Sequence, residues 1–237
     1  MDTRPSTDDS ADQTFQAVRH AITSRKSTRA FLPRPVDPAL IDELLQIAGM
    51  APSGSNIQPW QVHVITGKAR DRLSADLLAA HQENAPEERE YQYYPVKWRS
   101  PYIERRRATG WGLYGLLNIV KGDHEAMARQ HGRNYEFFDA PVVMIFTMDN
   151  DMETGSWLDY GMFLQNIMVA ARGCGLHTCP QAALVSYPRI VRKHLNIQDD
   201  KILVCGLSLG YEDTTNIVNQ FQPSRMSLDE FVTYHRD

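Results

Sequence analysis

Trp157-Leu158-Asp159-Tyr160-Gly161-Met162-Phe163-Leu164-Gln165-Asn166-Ile167-Met168-Val169-Ala170-Ala171-Arg172 carries apolar side chains on nearly every side of a helical wheel. A helix apolar all round has to be covered all round. Asp159, Gln165 and Asn166 interrupt the run, and it is shorter than the about 20 apolar residues that span a membrane. The stretch therefore reads as a helix enclosed by protein. One domain of this length can enclose it, but a second copy of the chain lying against it does so more readily.

Outward from this helix, the apolar runs 142–148, after Pro141, and 202–209 read as strands. Further upstream, Asp37 caps and Pro38 opens a helix whose Leu40, Ile41, Leu44, Leu45 and Ala48 form one apolar face, ending before Pro52. A short strand at 62–66 and a helix over about 68–81 follow. From 82 to 110 the periodicity disappears. Tyr91, Tyr93, Tyr94, Trp98, Tyr102 and Trp111 alternate there with Arg99, Arg105, Arg106 and Arg107, the composition of an excursion over an active site. The pattern predicts one helix over about 112–131, and residues 211–237 read as a tail that wraps a partner. Helices and short apolar runs thus alternate along the chain.

The 237 residues fit a single domain over 14–237. Residues 1–13 are polar and acidic, lack the apolar core of a signal peptide, and read as a disordered tail. A net charge of -4 excludes a dedicated nucleic-acid binder. The three cysteines, Cys174, Cys179 and Cys205, have no CxxC spacing, so neither a disulfide framework nor a zinc site is indicated, and a reduced, cytoplasmic setting fits. The histidines show no metal-ligand spacing, and no metal is expected.

Arg25-Lys26-Ser27-Thr28-Arg29 follows the helical repeat Phe15, Val18, Ile22 and places three cations and a hydroxyl where a helix ends. Guanidinium forks, an ammonium and a hydroxyl together suit a phosphate. The same residues also suit a solvated basic helix end favoured by the macrodipole. The loop Ala51-Pro52-Ser53-Gly54-Ser55-Asn56-Ile57-Gln58-Pro59-Trp60 is dense in small and amide side chains.

With Gly175-Leu176-His177-Thr178-Cys179-Pro180-Gln181-Ala182-Ala183, Val204-Cys205-Gly206-Leu207-Ser208-Leu209-Gly210-Tyr211 and Pro223-Ser224-Arg225 in the same order, the chain from about Phe15 onward resembles the nitroreductase family, in the branch of nitrobenzoate and nitroaromatic reductases. The resemblance implies an α+β fold with a central, mainly antiparallel sheet flanked by helices, an intertwined homodimer and one FMN per site. It implies that NADPH or NADH donates hydride and that a nitroaromatic or quinone accepts electrons in a ping-pong cycle. By the same resemblance Arg25, Lys26, Ser27 and Arg225 hold the phosphate and ribityl chain. Arg29 approaches the N1/O2 edge of the ring, where a cation eases reduction.

Ser53, Gly54, Ser55 and Asn56 are implied to reach the cofactor from the dimer mate. Pro180, Gln181, Ala182 and Ala183 pass the N5 side, and Gly206 marks a strand close to the cofactor. Gln181-Ala182-Ala183 stands where the family often has a glutamate-glycine pair. No general acid or base is expected, because the flavin carries the chemistry. Tyr94, Trp98 and Trp111 are the expected substrate wall. The Arg105-Arg106-Arg107 run is either a solvated face or a reader of carboxylates or nicotinamide phosphates. Reductive dehalogenation, flavin breakdown, or a flavin-binding protein with little turnover are the alternatives on this scaffold.

Overall fold

The computed structural model describes residues 9–236. The first eight residues of the expected disordered tail lie outside them, and its remainder belongs to the first helix. Seven helices occur among the described residues: α1 Asp9–Ser24, α2 Pro38–Ala48, α3 Gly67–Gln82, α4 Tyr102–Leu116, α5 His124–Gly132, α6 Thr154–Gly173 and α7 Pro188–Leu195. Four strands, β1 Gln61–Thr66, β2 Val142–Asp149, β3 His177–Gln181 and β4 Lys201–Gly210, make one sheet in the order β1-β2-β4-β3. All its pairings are antiparallel.

Alternation along β2 divides the interior in two. Val142, Met144, Phe146 and Met148 face Ile41, Leu44 and Ala48 of α2 and Tyr160, Phe163, Ile167 and Ala171 of α6. Val143 and Ile145 face Leu73 and Leu77 of α3 and Val191 of α7. The central strand is thus apolar throughout because helices cover both of its faces. At the start of α2 the Asp37 carboxylate accepts a hydrogen bond from the Ala39 amide at 2.9 Å.

Three expectations change. Residues 102–110, assigned to the excursion, are the first half of α4, and the helix expected over 112–131 is two helices, broken where Asn118 and Gly122 take positive φ. Asp123 then caps α5 through a 2.9 Å bond from the Ala126 amide. Within this chain α6 buries one face, Ser156, Asp159, Tyr160, Phe163, Ile167 and Ala171, while Leu158 remains 71% exposed. The start of the excursion is strapped down: Glu90 receives Arg192 at 2.7 Å and the Leu203 amide at 2.8 Å, and the Tyr91 hydroxyl donates to the Val204 carbonyl. No helix among the described residues is long and apolar enough to cross a membrane.

Candidate active site

After α1 ends at Ser24 the chain runs extended along the edge strand β3. Ser27 bridges Thr178, and the Thr28 amide donates to the Thr178 carbonyl at 3.0 Å. Side chains alternate on extended backbone, so Thr28 and Ala30 are buried while Arg25, Ser27 and Arg29 face a cavity of about 710 Å³. Arg225 reaches the same cavity from the C-terminal segment, its Nη1 held by the Pro223 carbonyl at 2.9 Å and the Ser224 carbonyl at 3.1 Å. Four cations, Arg25, Lys26, Arg29 and Arg225, line it, and no Asp or Glu does among the described residues.

Burial holds the Arg25 guanidinium below its usual range, and Arg225 lowers it further. Two mutually repelling guanidiniums kept together without a carboxylate between them form a receptor for an anion. The Cys179 thiol behind them is fully buried and pushed up to about 11 by that burial, against the opposing effect of Arg29 and Arg25. It is a packed thiol, not an activated nucleophile.

Pro180 is also a wall of a second cavity of about 640 Å³, which Gln181, Ala182, Val204 and Cys205 share with Tyr91, Tyr93, Trp157 and Tyr160. Tyr91 and Trp157 meet with ring centroids 4.5 Å apart. Lys, Arg, Asp and Glu are absent from its lining among the described residues. The Gln181 side chain turns inward, donating to the Asn134 carbonyl at 2.9 Å and accepting from the Ser208 hydroxyl at 2.6 Å, so this residue offers the cavity its backbone. Ala182 and Ala183 begin the turn that follows β3.

Other expected site residues lie outside this cavity of the single chain. Tyr94 packs on Tyr93 and Trp98, Trp98 lies under Arg106, and Trp111 packs on Tyr114, but none of Tyr94, Trp98 and Trp111 lines the aromatic cavity. Its wall is Tyr91, Tyr93 and Trp157, placed there by contacts between α6 and the strap along β4, which no local pattern reveals. Arg105 faces a different cavity, beside Glu230 at 3.6 Å, and none of Arg105, Arg106 and Arg107 lines the aromatic one.

Gly206 sits within β4, opposite Gln181, where its missing side chain makes room for Leu184. Ser53, Gly54, Ser55 and Asn56 do not line the cation-rich cavity of their own chain. They form an exposed turn beside α6, with the Gly54 amide 3.1 Å from the Asp159 carboxylate and Ser55, Asn56 and Gln58 at positive φ. Such backbone strain concentrates at functional turns.

Behind the cations lies His177, whose Nε2 is 2.8 Å from Arg172 and 3.0 Å from Glu212. Burial and then Arg172 lower its pKa to about 4, although Glu212 opposes the shift. An unfolded histidine titrates near about 6.5. Between those values the unfolded chain binds more protons than the folded one, so this residue's contribution is present above the upper value and is lost as pH falls. Urea denaturation of His177→Gln is expected to show a smaller loss of midpoint between pH 7 and pH 4.5 than the unsubstituted protein.

The fold and the paired cavities together define a nitroreductase-type protein: the family model described as Nitroreductase family matches residues 22–211, and the chain belongs to that family. It is 42% identical to a 4-nitrobenzoate reductase of Pseudomonas putida, over 93% of this chain and 95% of that one. It is 40% identical to a chloronitrobenzene nitroreductase of Comamonas testosteroni, over 90% and 94%. The FMN-dependent nitroreductase NfnB of Mycobacterium smegmatis, solved in complex with NADPH, superposes with a TM-score of 0.90 at 33% identity, covering 94% of this chain and all of that one (100%).

Proposed function

We propose that this protein is an FMN-dependent oxidoreductase that takes hydride from NADPH or NADH and reduces nitroaromatic or quinone-like acceptors in alternating half-reactions. It works as a cytoplasmic homodimer. The observation that carries this reading is the acid-free cavity lined by Arg25, Lys26, Arg29 and Arg225, which shares Pro180 with an uncharged aromatic cavity. The residues fit a molecule with a phosphate at one end and a flat ring at the other. When bound, FMN supplies reversible hydride chemistry.

The protein binds and orients. Arg25, Ser27 and Arg225 hold the phosphate, and Arg29 lies toward the ring. Pro180, Gln181 and Ala182 present small or inward-turned side chains that leave a ring face accessible. Tyr91, Tyr93 and Trp157 give a flat acceptor aromatic surfaces to stack on and exclude water. Relatives at 40–42% identity are named for nitrobenzoate and chloronitrobenzene, which supports the acceptor class.

The dimer is supported by the apolar side chains the single chain leaves open, Phe15, Val18 and Ile22 of α1 and Leu158 of α6. Phe15, Val18 and Ile22 recur at helical spacing along α1, and an exposed apolar stripe of this kind supports an interaction surface. Ser53, Gly54, Ser55 and Asn56, on the same side as α6, complete the partner's site.

Anaerobic titration of the purified protein with NADPH and with NADH, following the visible flavin band, tests the reading. Rapid bleaching by either donor, restored by nitrobenzene or 4-nitrobenzoate, is the expected result. A flavin band that neither donor bleaches, or no flavin after reconstitution, overturns it. Sedimentation at the same concentrations is expected to give twice the chain mass.

A further inference from the structure

The two arms of the cation-lined cavity come from opposite ends of the chain, and a buried polar hub holds them in register. Asn219 is 2% exposed. Its Oδ1 accepts from the Arg29 amide at 2.7 Å, and its Nδ2 donates to the carbonyls of Ala30 at 2.8 Å and Asp213 at 2.9 Å. Its own carbonyl accepts from the Lys26 ammonium at 2.6 Å. The same ammonium lies 2.6 Å from Glu212, whose side chain is 9% exposed and whose other oxygen meets His177 at 3.0 Å. Phe31 and Glu212 also pair through a backbone bridge.

Lys26 therefore differs from its neighbours in the clamp. Arg25 is lowered by burial and then by Arg225, whereas the Lys26 charge is already matched by a nearly buried carboxylate. Two of the three ammonium hydrogens are committed to Glu212 and to the Asn219 carbonyl, so any contact the third makes with a phosphate brings a charge already offset by the nearly buried carboxylate. We propose that Lys26 is a positioning residue. With Glu212 and Asn219 it forms a strut that sets the Arg225 arm against the Arg25 to Arg29 arm, and it contributes no net charge to the phosphate. The inference rests on the FMN reading of the cavity.

The test measures the dissociation constant of riboflavin divided by that of FMN for the flavin-stripped full chain, because this ratio isolates what the phosphate gains. Lys26→Gln/Glu212→Gln keeps a hydrogen-bonding pair without charge and is expected to hold the ratio within about twofold, whereas Arg25→Gln lowers it about tenfold or more. A double variant that lowers the ratio as far as Arg25→Gln does overturns the strut. A ratio that Arg25→Gln and Arg225→Gln both leave unchanged overturns the FMN reading instead.

If the double variant does not fold, Asn219→Ser combined with Arg225→Gln decides the matter. A strut makes their effects on the ratio overlap, so the pair costs clearly less than the product of the two single fold-changes. Independent effects that multiply overturn it.

Discussion

Replacing Arg225 with glutamine is expected to weaken FMN binding about 10- to 100-fold while riboflavin binding changes by no more than about twofold. Hydrogen bonds to charged groups contribute roughly 1.5–3 kcal/mol, and about 1.4 kcal/mol is a tenfold change in affinity. Arg225 suits such a contact because the carbonyls of Pro223 and Ser224 already fix one of its nitrogens, leaving the rest of the fork to the ligand. The flavin-free protein is expected to behave oppositely. Burial and then Arg225 hold the Arg25 guanidinium below its usual range, so removing one of the two like charges relieves the repulsive part, and the flavin-free variant should be no less stable than its parent. Fluorescence titration with the two flavins and thermal denaturation without flavin check both halves. Equal losses for FMN and riboflavin would mean that Arg225 does not touch the phosphate.

Gly206→Ala is the second large effect, and it acts on the fold first. A Cβ at this position would lie 2.3 Å from Leu184 Cδ1 and 3.0 Å from its Cγ. Leu184 is fully buried, at 0% exposure, and its Cβ also stands 3.1 Å from the new atom, so side-chain rotation alone does not clear the contact and β4 and the turn after β3 are pushed apart. Overpacking of this kind costs about 1–3 kcal/mol, which for a chain of this size lowers the melting temperature by about 2–12 °C. Because Gly206 pairs with Gln181, the displacement carries Pro180 with it, and flavin content is expected to fall along with stability. Leu184→Ala in the Gly206→Ala background should recover much of the melting temperature. No recovery would place the fault elsewhere than this contact.

Much of this architecture was legible where the signal is local. Asp37 and Pro38 announce α2, and the basic cluster after the helical repeat of Phe15, Val18 and Ile22 marks where α1 ends. β3 escaped because a five-residue edge strand containing Pro180 has neither length nor alternation to display. α7 escaped because it has eight residues and ends in Arg192, Lys193 and His194. The Pro188 at its start and the left-handed Asn196 after its end were the available signals.

The split between α4 and α5 was written in Gly122 and Asp123, a positive-φ glycine followed by a cap. The aromatic wall could not be read in the same way. Tyr91 is held by Val204, 113 residues away, and composition alone does not separate it from Tyr94, Trp98 and Trp111. The packing constraint at Gly206 was hidden for a similar reason, since the leucine that meets it comes from the turn after β3, more than twenty residues earlier in the chain.

Trp157, Tyr160, Gly161 and Leu164 of α6 border the aromatic cavity, while Gln165 and Met168 of the same helix border the cationic one. At about 1.5 Å of rise per residue, the span from Trp157 to Met168 is about 16 Å. The helix is therefore a ruler, and the separation of the two compartments is graduated in its turns. Loops elsewhere can lengthen without altering that measure. Deleting one residue between Leu164 and Met168 would shorten the ruler by only about 1.5 Å but would turn everything beyond the cut by roughly 100°, aiming the second mark away from its compartment. In this molecule the distance between the cationic and the aromatic cavity is set by the pitch of one rod, and indels within it should be far less tolerated than substitutions along it.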